Sequence, residues 1–426
     1  MTDIERARSL WGDFVTPWDI ALPASATVVV NALAEFSTPL VVGGAVRDSI
    51  LDVGVNKDVD IEVYGSDLDT IIESLRERGF VVNEVGKAFG VLKVRVHGLD
   101  IDVSVPRREN KVGRGHREFD VDTDSEMSVA EAMSRRDFTV NAVGYDPVLG
   151  VMVDPFNGFG DASTGSIRAV SDKFDEDPLR VLRGFQFAGR FGMRLTPETV
   201  VRCRRLRSEY GTIPVERVRS EWEKFFTRVV DVDAAVDALV SSGWDDTIPG
   251  LRTALNDKET VHALSRLREH PEGERVLLGV TALALTPGVD ESEVLALGRV
   301  LLPSKSALST MLAFVDIVHN VDEDAAAVRE VAVTLAKVNS SWSQVGALGS
   351  LLDDDGVVSA SVAAVAVGVG SHPEADWVRG DDVLRLSSSS PGPWVKSTLN
   401  EFRRRQWRRE FSGRDEALAE LARTLS

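Results

Sequence analysis

One cysteine in 426 residues removes several chemistries at the outset. Cys203 has no second thiol to meet, so the chain forms no intrachain disulfide and no thiolate zinc cluster, and a reducing compartment fits. No uninterrupted apolar run approaches the roughly 18 residues a membrane span needs. The first residues, MTDIERARSLWGDF, are charged where a secretion signal would carry an apolar segment. A soluble, cytoplasmic protein is expected. Positive charge is also scarce: 49 Lys and Arg face 67 Asp and Glu, a net of −18. A polyanion would therefore have to be received on local basic patches against a repelling background. There is no fixed-period repeat and no low-complexity tract long enough to be a linker. What is present is 43% hydrophobic and 27% charged residues, which excludes a disordered or fibrous chain and suffices for the cores of two or more domains.

From Thr27 to about Asp161, short β-branched runs (Ala26–Val30, Leu40–Val42, Val59–Tyr64, Val91–Val96, Ile101–Val105) alternate with helical stretches such as Asp67–Arg78. After Ser171 the strand signal ends. Amphipathic Ala-, Leu-, Val-, Arg- and Glu-rich stretches then run to the end, broken at Pro197, Pro214, Pro249, Pro287 and Pro303. The tract SSSSPGP interrupts them and opens a helix near Trp394. The pattern predicts an α+β chain: a mixed-sheet head, then an elongated all-α remainder.

Four constellations carry chemistry. The first is Val41-Val42-Gly43-Gly44-Ala45-Val46-Arg47-Asp48 with Lys57-Asp58-Val59-Asp60-Ile61-Glu62 downstream. A strand running through two glycines into a helix bares backbone N–H groups that suit a phosphate, and Arg47 adds charge there. Alternation puts Asp58 and Asp60 on one strand face, where their repulsion is relieved by a divalent cation; carboxylate oxygens suit Mg²⁺. A solvated acidic strand edge is the alternative. The second is Leu99-Asp100-Ile101-Asp102-Val103-Ser104-Val105. If it pairs beside Val59–Val63, Asp102 completes a three-carboxylate cluster able to hold two metals; otherwise it is a second solvent-facing strand. Arg107 and Arg108 follow within reach of a polyphosphate.

The third, Arg135-Arg136-Asp137-Phe138-Thr139-Val140-Asn141-Ala142, sets polar groups among apolar anchors, so that its polar edge can meet phosphates and ribose hydroxyls. The turn-rich Asp154-Pro155-Phe156-Asn157-Gly158-Phe159-Gly160-Asp161 after it reads as an inter-domain loop without chemistry of its own. The fourth, Glu176-Asp177-Pro178-Leu179-Arg180-Val181-Leu182-Arg183-Gly184-Phe185-Gln186-Phe187, starts a helix with an acid and a proline. Asp177, Arg180 and Arg183 then share one edge, while Leu179, Leu182 and Phe187 point inward. A carboxylate and a guanidinium together can read a base's Watson–Crick edge; a surface i, i+3 ion pair is the alternative.

In this order the four strings resemble the class II tRNA nucleotidyltransferase and bacterial poly(A) polymerase family, of the polymerase-β nucleotidyltransferase superfamily. The similarity runs from about Leu40 to Phe226 and includes Ile213-Pro214-Val215-Glu216-Arg217-Val218 with Glu221 and Lys224. A weaker echo lies at Val378-Arg379-Gly380-Asp381-Asp382-Val383-Leu384 and Pro391-Gly392-Pro393.

The resemblance implies a nucleotidyltransferase head over residues 1–160, a base-recognising helical neck over 161–228, and a helical body and tail over 229–426 that binds tRNA. It implies that Gly43, Gly44 and Arg47 hold a triphosphate, that Asp58 and Asp60 bind catalytic Mg²⁺, and that Asp102 is the base acting on the primer 3′-hydroxyl. Arg136 would reach the nucleotide, Asp137 the ribose, Asp177 and Arg180 the base of CTP or ATP, and Arg183 the nucleotide again. Where relatives often carry a further arginine, this chain has Gln186. None of the six histidines precedes an aspartate, so the His-Asp phosphohydrolase domain of some relatives is not expected. Lys111–Met127 resembles the family's mobile loop.

Two segments offer local positive charge for RNA. Arg202–Arg228 holds eight basic against four acidic residues, and Glu401–Glu410 holds five against two, its arginines interleaved with Phe402 and Trp407. A solvated amphipathic helix is the alternative for the latter. The expected activity is template-independent CCA addition to tRNA 3′ ends from CTP and ATP. A-only addition, poly(A) tailing or a catalytically silent RNA-binding module are the alternatives.

Overall fold

The computed structural model describes residues 2–54, 59–111, 119–320, 335, 338, 342–353, 376–387, 390–407 and 410–425. The chain divides into two compact units, residues 1–214 with 234–244, and residues 215–233 with 245–426.

The first unit is built on an eight-stranded mixed sheet in the order β1-β10-β9-β2-β3-β6-β5-β4. Its strands are β1 (Val15–Pro17), β2 (Thr38–Val42), β3 (Asp60–Tyr64), β4 (Val81–Asn83), β5 (Val91–Val96), β6 (Leu99–Ser104), β9 (Gly144–Asp146) and β10 (Val151–Val153). β7 (Arg107–Lys111) and β8 (Phe119–Thr123) form a separate antiparallel hairpin. Helix α1 (Asp3–Trp11) leads into the sheet. Helices α2 (Ala24–Ala34) and α4 (Leu68–Glu77) supply Val29, Leu33, Ile71 and Leu75 to a core shared with Ile61, Val63, Leu92, Val94, Ile101 and Val103. Burying these side chains contributes roughly 1.5–3 kcal/mol each against exposure. Helix α3 (Gly44–Ile50) follows the double-glycine turn, and helix α5 (Val129–Met133) precedes the third constellation.

Ala26–Val30, expected as a strand, lies inside α2. Ser25, Ala26, Val29, Val30, Ala32 and Leu33 are the buried positions, and their recurring spacing of three and four is a helix period that outweighs the β-branched composition. Pro23 at the N-cap supplies the start. The strand signal also does not end outright after Ser171, because Arg194–Leu195 pairs in parallel with Ser166–Ile167.

The segment Asp154–Asp161, expected to be an inter-domain loop, is built into the first unit. Asn157 adopts φ 59°, the Asp154 carboxylate accepts from the N–H groups of Gly158 and Phe159, and helix α6 (Gly158–Ser163) begins there. Asp161 is buried and accepts from the Thr139 hydroxyl and Arg168, so it supports the turn carrying the third constellation. Helix α7 (Leu179–Phe191) carries the fourth; Asp177 accepts from the Leu179 N–H at 3.1 Å.

The second unit is helical wherever it is described. It opens with Val215–Arg228, whose Trp222, Phe225 and Phe226 are buried. Gly279 of the helix Glu272–Ala284 admits the Phe226 ring where a Cβ would lie 2.4 Å from it. Near the end, helices Gly380–Leu386, Pro393–Trp407 and Arg414–Leu425 enclose a small core of Val383, Phe402, Phe411 and Leu421. Buried Asp382 ties the first of them to the last by accepting from Arg414, and also accepts from Arg379 N–H and Arg385. Among the described residues no helix is long and apolar enough to cross a membrane.

Candidate active site

β3 and β6 run parallel with Asp60 opposite Asp102. Alternation drives Ile61, Ile101 and Val103 into the core and brings both carboxylates out on the other face, side by side. The two-strand pairing expected from sequence is thus present; Asp58 lies outside the described residues. Among the described residues no three His, Cys, Asp or Glu side chains form a metal-ligand cluster. Glu62 shares the face of Asp60 and accepts from the Tyr64 hydroxyl. Burial first, and then the Glu62 charge, push the Tyr64 phenol well above its ordinary range.

β2 ends at Val42, opposite Asp60, and Gly43 turns the chain at φ 75°. A Cβ there would sit 3.0 Å from an Asp60 carboxylate oxygen and 3.5 Å from an Arg136 nitrogen. The turn, Asp60 and Arg136 therefore meet at one point, and only glycine fits. On the other side, β5 and β6 form a hairpin through His97 and Gly98, both with positive φ. That register sets Lys93 opposite Asp102, its ammonium 2.6 Å from the carboxylate. The bond to Asp102, and the charges of Asp102, Asp100 and Asp60, hold Lys93 above the usual lysine range.

Asp60, Glu62 and Asp102 line a cavity of about 370 Å³ together with Arg107, Arg135, Arg136 and Arg180. Backbone carbonyls fix several of these guanidiniums. Arg107 donates to Phe89 O, Arg135 to Arg107 O, and Arg180 to Lys173 O and Arg135 O. Burial lowers the Arg180 pKa, opposed by Asp137 and Asp177. One cavity thus offers oxygen donors for a cation and guanidiniums for phosphates, the chemistry a metal–triphosphate complex needs.

Three expected site residues are placed differently. Arg47 is only 6% exposed and, like Asp177, does not line the cavity. It lies over the rings of Phe187 and Phe191, pairs with Asp48 and donates to Asn141. Asp137 is buried and takes up Phe138 N–H, Asn141 and Arg183. Burial pushes its carboxyl upward, but the Arg183 charge and these hydrogen bonds outweigh it and hold the carboxyl below the usual range. Arg183, half-buried, is spent on Asp137 and lies over Phe187. Gln186 is buried, with an amide nitrogen that has no partner among the described residues.

The basic segment Arg202–Arg228 is largely engaged in structure. Arg202 pairs with Asp172 and Asp175, Arg204 and Arg207 hold Ser241 O and Gly243 O, Arg219 holds Arg299 O and Val300 O, and Lys224 pairs with Glu221. Arg403 and Arg405 are likewise paired, with Asp376 and with Glu410 and Glu420. The side chains of Arg404, Trp407, Arg408 and Arg409 lie outside the described residues, as does 112–118 of the loop expected over Lys111–Met127.

Sequence reasoning passed over Glu62 and Lys93. Both had a signal: Glu62 is two residues beyond Asp60 on the same strand, and counting outward from the His97-Gly98 turn reaches Lys93 opposite Asp102.

Residues 40–168 match the family described as the poly A polymerase head domain. A multifunctional CCA protein of Psychromonas ingrahamii is 38% identical over 186 residues, 42% of this chain and 43% of that protein. A CCA-adding enzyme of Buchnera aphidicola is 41% identical over 164 residues, covering 38% of this chain and 37% of its own length. These matches span less than half of the curated relatives. Among solved structures, the Bacillus stearothermophilus CCA-adding enzyme in complex with CTP superimposes with a TM-score of 0.64 at 23% identity, over 94% of this chain and 96% of that one. The Thermotoga maritima CCA-adding enzyme complexed with tRNA-CCA gives 0.55 at 17% identity, over 95% and 97%. The fold is therefore that of these enzymes along nearly the whole chain.

Proposed function

We propose that this chain, whose residues 40–168 match the poly A polymerase head domain, adds CCA to tRNA 3′ ends without a template, drawing on CTP and ATP. The observation that carries the reading is the cavity in which Asp60 and Asp102 lie side by side next to the glycine turn, with four arginines on its lining.

The donor set fits Mg²⁺, since two adjacent carboxylates repel one another and offer hard oxygen ligands; Asp58 and Asp60 would hold it. When bound, the metal neutralises charge on the triphosphate and lowers the cost of activating the attacking hydroxyl. Backbone N–H groups at Gly43 and Gly44 take phosphate oxygens, and Arg136 reaches the same point. Asp102 accepts the proton of the primer 3′-hydroxyl as that oxygen attacks the α-phosphorus and pyrophosphate leaves.

Asp177 and Arg180 select the base. Cytosine and adenine each present an amino donor beside a ring-nitrogen acceptor, which a carboxylate and a guanidinium satisfy together; uracil and guanine reverse that order and leave both protein groups facing like partners. The tRNA end approaches in the cytoplasm.

The test supplies Mg²⁺ and tRNA transcripts ending before CCA, after C and after CC, with CTP and ATP offered separately. Two C additions and one A are expected. Long A tails, or A added only after CC, would replace the reading with poly(A) tailing or A-only addition; no transfer to any end would leave the silent RNA-binding module. Asp60→Ala should lower incorporation on the order of a hundredfold or more while leaving the unfolding midpoint near wild type, because Asp60 is exposed. Near wild-type turnover would remove it from the site.

A further inference from the structure

A polymerase that lacks a template must keep its phosphate cradle and its base-reading edge in fixed register, because the pocket alone defines which nucleotide fits. Those two parts lie about 130 residues apart in sequence, at Gly43–Gly44 and at Asp177–Arg183. One buried side chain connects them. Arg47, on the helix that follows the glycine turn, donates to the Asn141 carbonyl oxygen at 2.9 Å. The Asn141 amide nitrogen donates to Asp137 at 2.8 Å, and the other oxygen of Asp137 accepts from Arg183 at 2.6 Å. The relay runs from α3 through the 137–141 turn to α7, and Arg47, Asp137 and Asn141 are all buried.

We infer that Asn141 is the positioning residue that locks the phosphate turn to the base-reading helix. This rests on the nucleotidyl-transfer reading above. The chemistry of the site selects an amide. One end must accept from a cation and the other must donate to an anion; a carboxylate fails at Asp137 and an ammonium fails at Arg47. The amide orientation is set as well, since the flipped form would face NH₂ to Arg47 and oxygen to Asp137. A second clamp reinforces the same junction. The Arg47 guanidinium lies 5.1 Å from the Phe187 ring centre and 4.9 Å from that of Phe191, and Asp48 accepts from Arg190 at 3.3 Å. Arg47 thereby holds α3 to α7, and Asn141 tunes the relative placement of the two.

Losing the amide leaves each half of the pocket formed but misplaces one against the other, so the penalty falls on the reaction geometry rather than on ground-state binding. With Asn141→Ala, kcat for CTP and ATP should fall at least tenfold while KM for each stays within about threefold, and the preference for CTP over UTP in kcat/KM should fall about tenfold. Independently of activity, a double-mutant cycle pairs Arg47→Met with Asp137→Asn and reads the unfolding midpoint. The two should be non-additive when Asn141 is present and additive in the Asn141→Ala background. If Asn141→Ala does not fold, Asn141→Gln, which keeps both groups on a longer arm, is read in the same two ways. A folded variant with a lowered midpoint but unchanged kcat and nucleotide preference would reduce Asn141 to a filler of polar space and overturn the inference. If the wild type transfers no nucleotide to any end, the reaction reading fails and the cycle alone decides; additivity there overturns the relay.

Discussion

Asp137 shows why a residue's type and its role separate at this site. Its carboxylate is enclosed by Arg183, Asn141 and the Phe138 N–H, which together hold the pKa below the ordinary carboxylate value in spite of burial. A depressed folded-state pKa contributes stability that is fully present above the unfolded value, near 3.9, and is lost as pH falls through the folded value. Asp137→Asn should therefore cost about 2 kcal/mol at neutral pH, and the gap to wild type should narrow below about pH 4. Chemical denaturation at pH 7, 5, 4 and 3 checks the sign, and a gap that widens toward acid would mean the carboxyl is raised instead. The sequence made Asp60 and Asp102 legible, because period-two alternation alone puts them on one sheet face. It could not show that Arg47 is enclosed. That depends on Phe187 and Phe191, brought to it only by tertiary folding.

At the scale of elements, the close seat of α6 on the Thr139–Asn141 turn decides how firmly the third constellation is held. A Cβ on Gly158 would lie 2.1 Å from the Thr139 carbonyl oxygen and 2.6 Å from a Val143 methyl, so the helix can approach only because that position is bare. Gly158→Ala should destabilise the protein by about 3 kcal/mol through overpacking, measured by denaturant midpoint, and should also lower nucleotide incorporation because Asn141 lies on the turn displaced. Wild-type stability would show that α6 shifts freely. Strands β5 and β6 are readable because their alternation is clean and a two-residue turn fixes their pairing. Helix α2 reads as a strand because a short run of valines fits either period until the alanines around it are weighed. The helix start at Gly158 was hidden for a different reason: its cap comes from Asp154, four residues upstream, in a string whose composition matches any loop.

For the whole molecule, the boundary between compact units does not follow the order of the chain. Residues 234–244 belong with residues 1–214, although the helix Val215–Arg228 that precedes them belongs to the second unit. The return is anchored by Trp244, which is fully buried, donates to Cys203 O at 2.8 Å and meets Tyr210 edge-on at 5.7 Å. Arg204 and Arg207 add bonds to Ser241 O and Gly243 O. A chain cut at residue 228, where the sequence alone would place the end of the neck, loses this whole seat and opens the apolar surface around Cys203. One cut after residue 246 keeps it. Losing a buried tryptophan costs about 3–5 kcal/mol, which for a fragment of this size amounts to a difference on the order of 10 °C in midpoint. Thermal unfolding of the two fragments should place 1–246 above 1–228 by that margin. Equal midpoints would mean that Trp244 and its partners contribute nothing to the first unit, and that the chain is divisible at residue 228 after all.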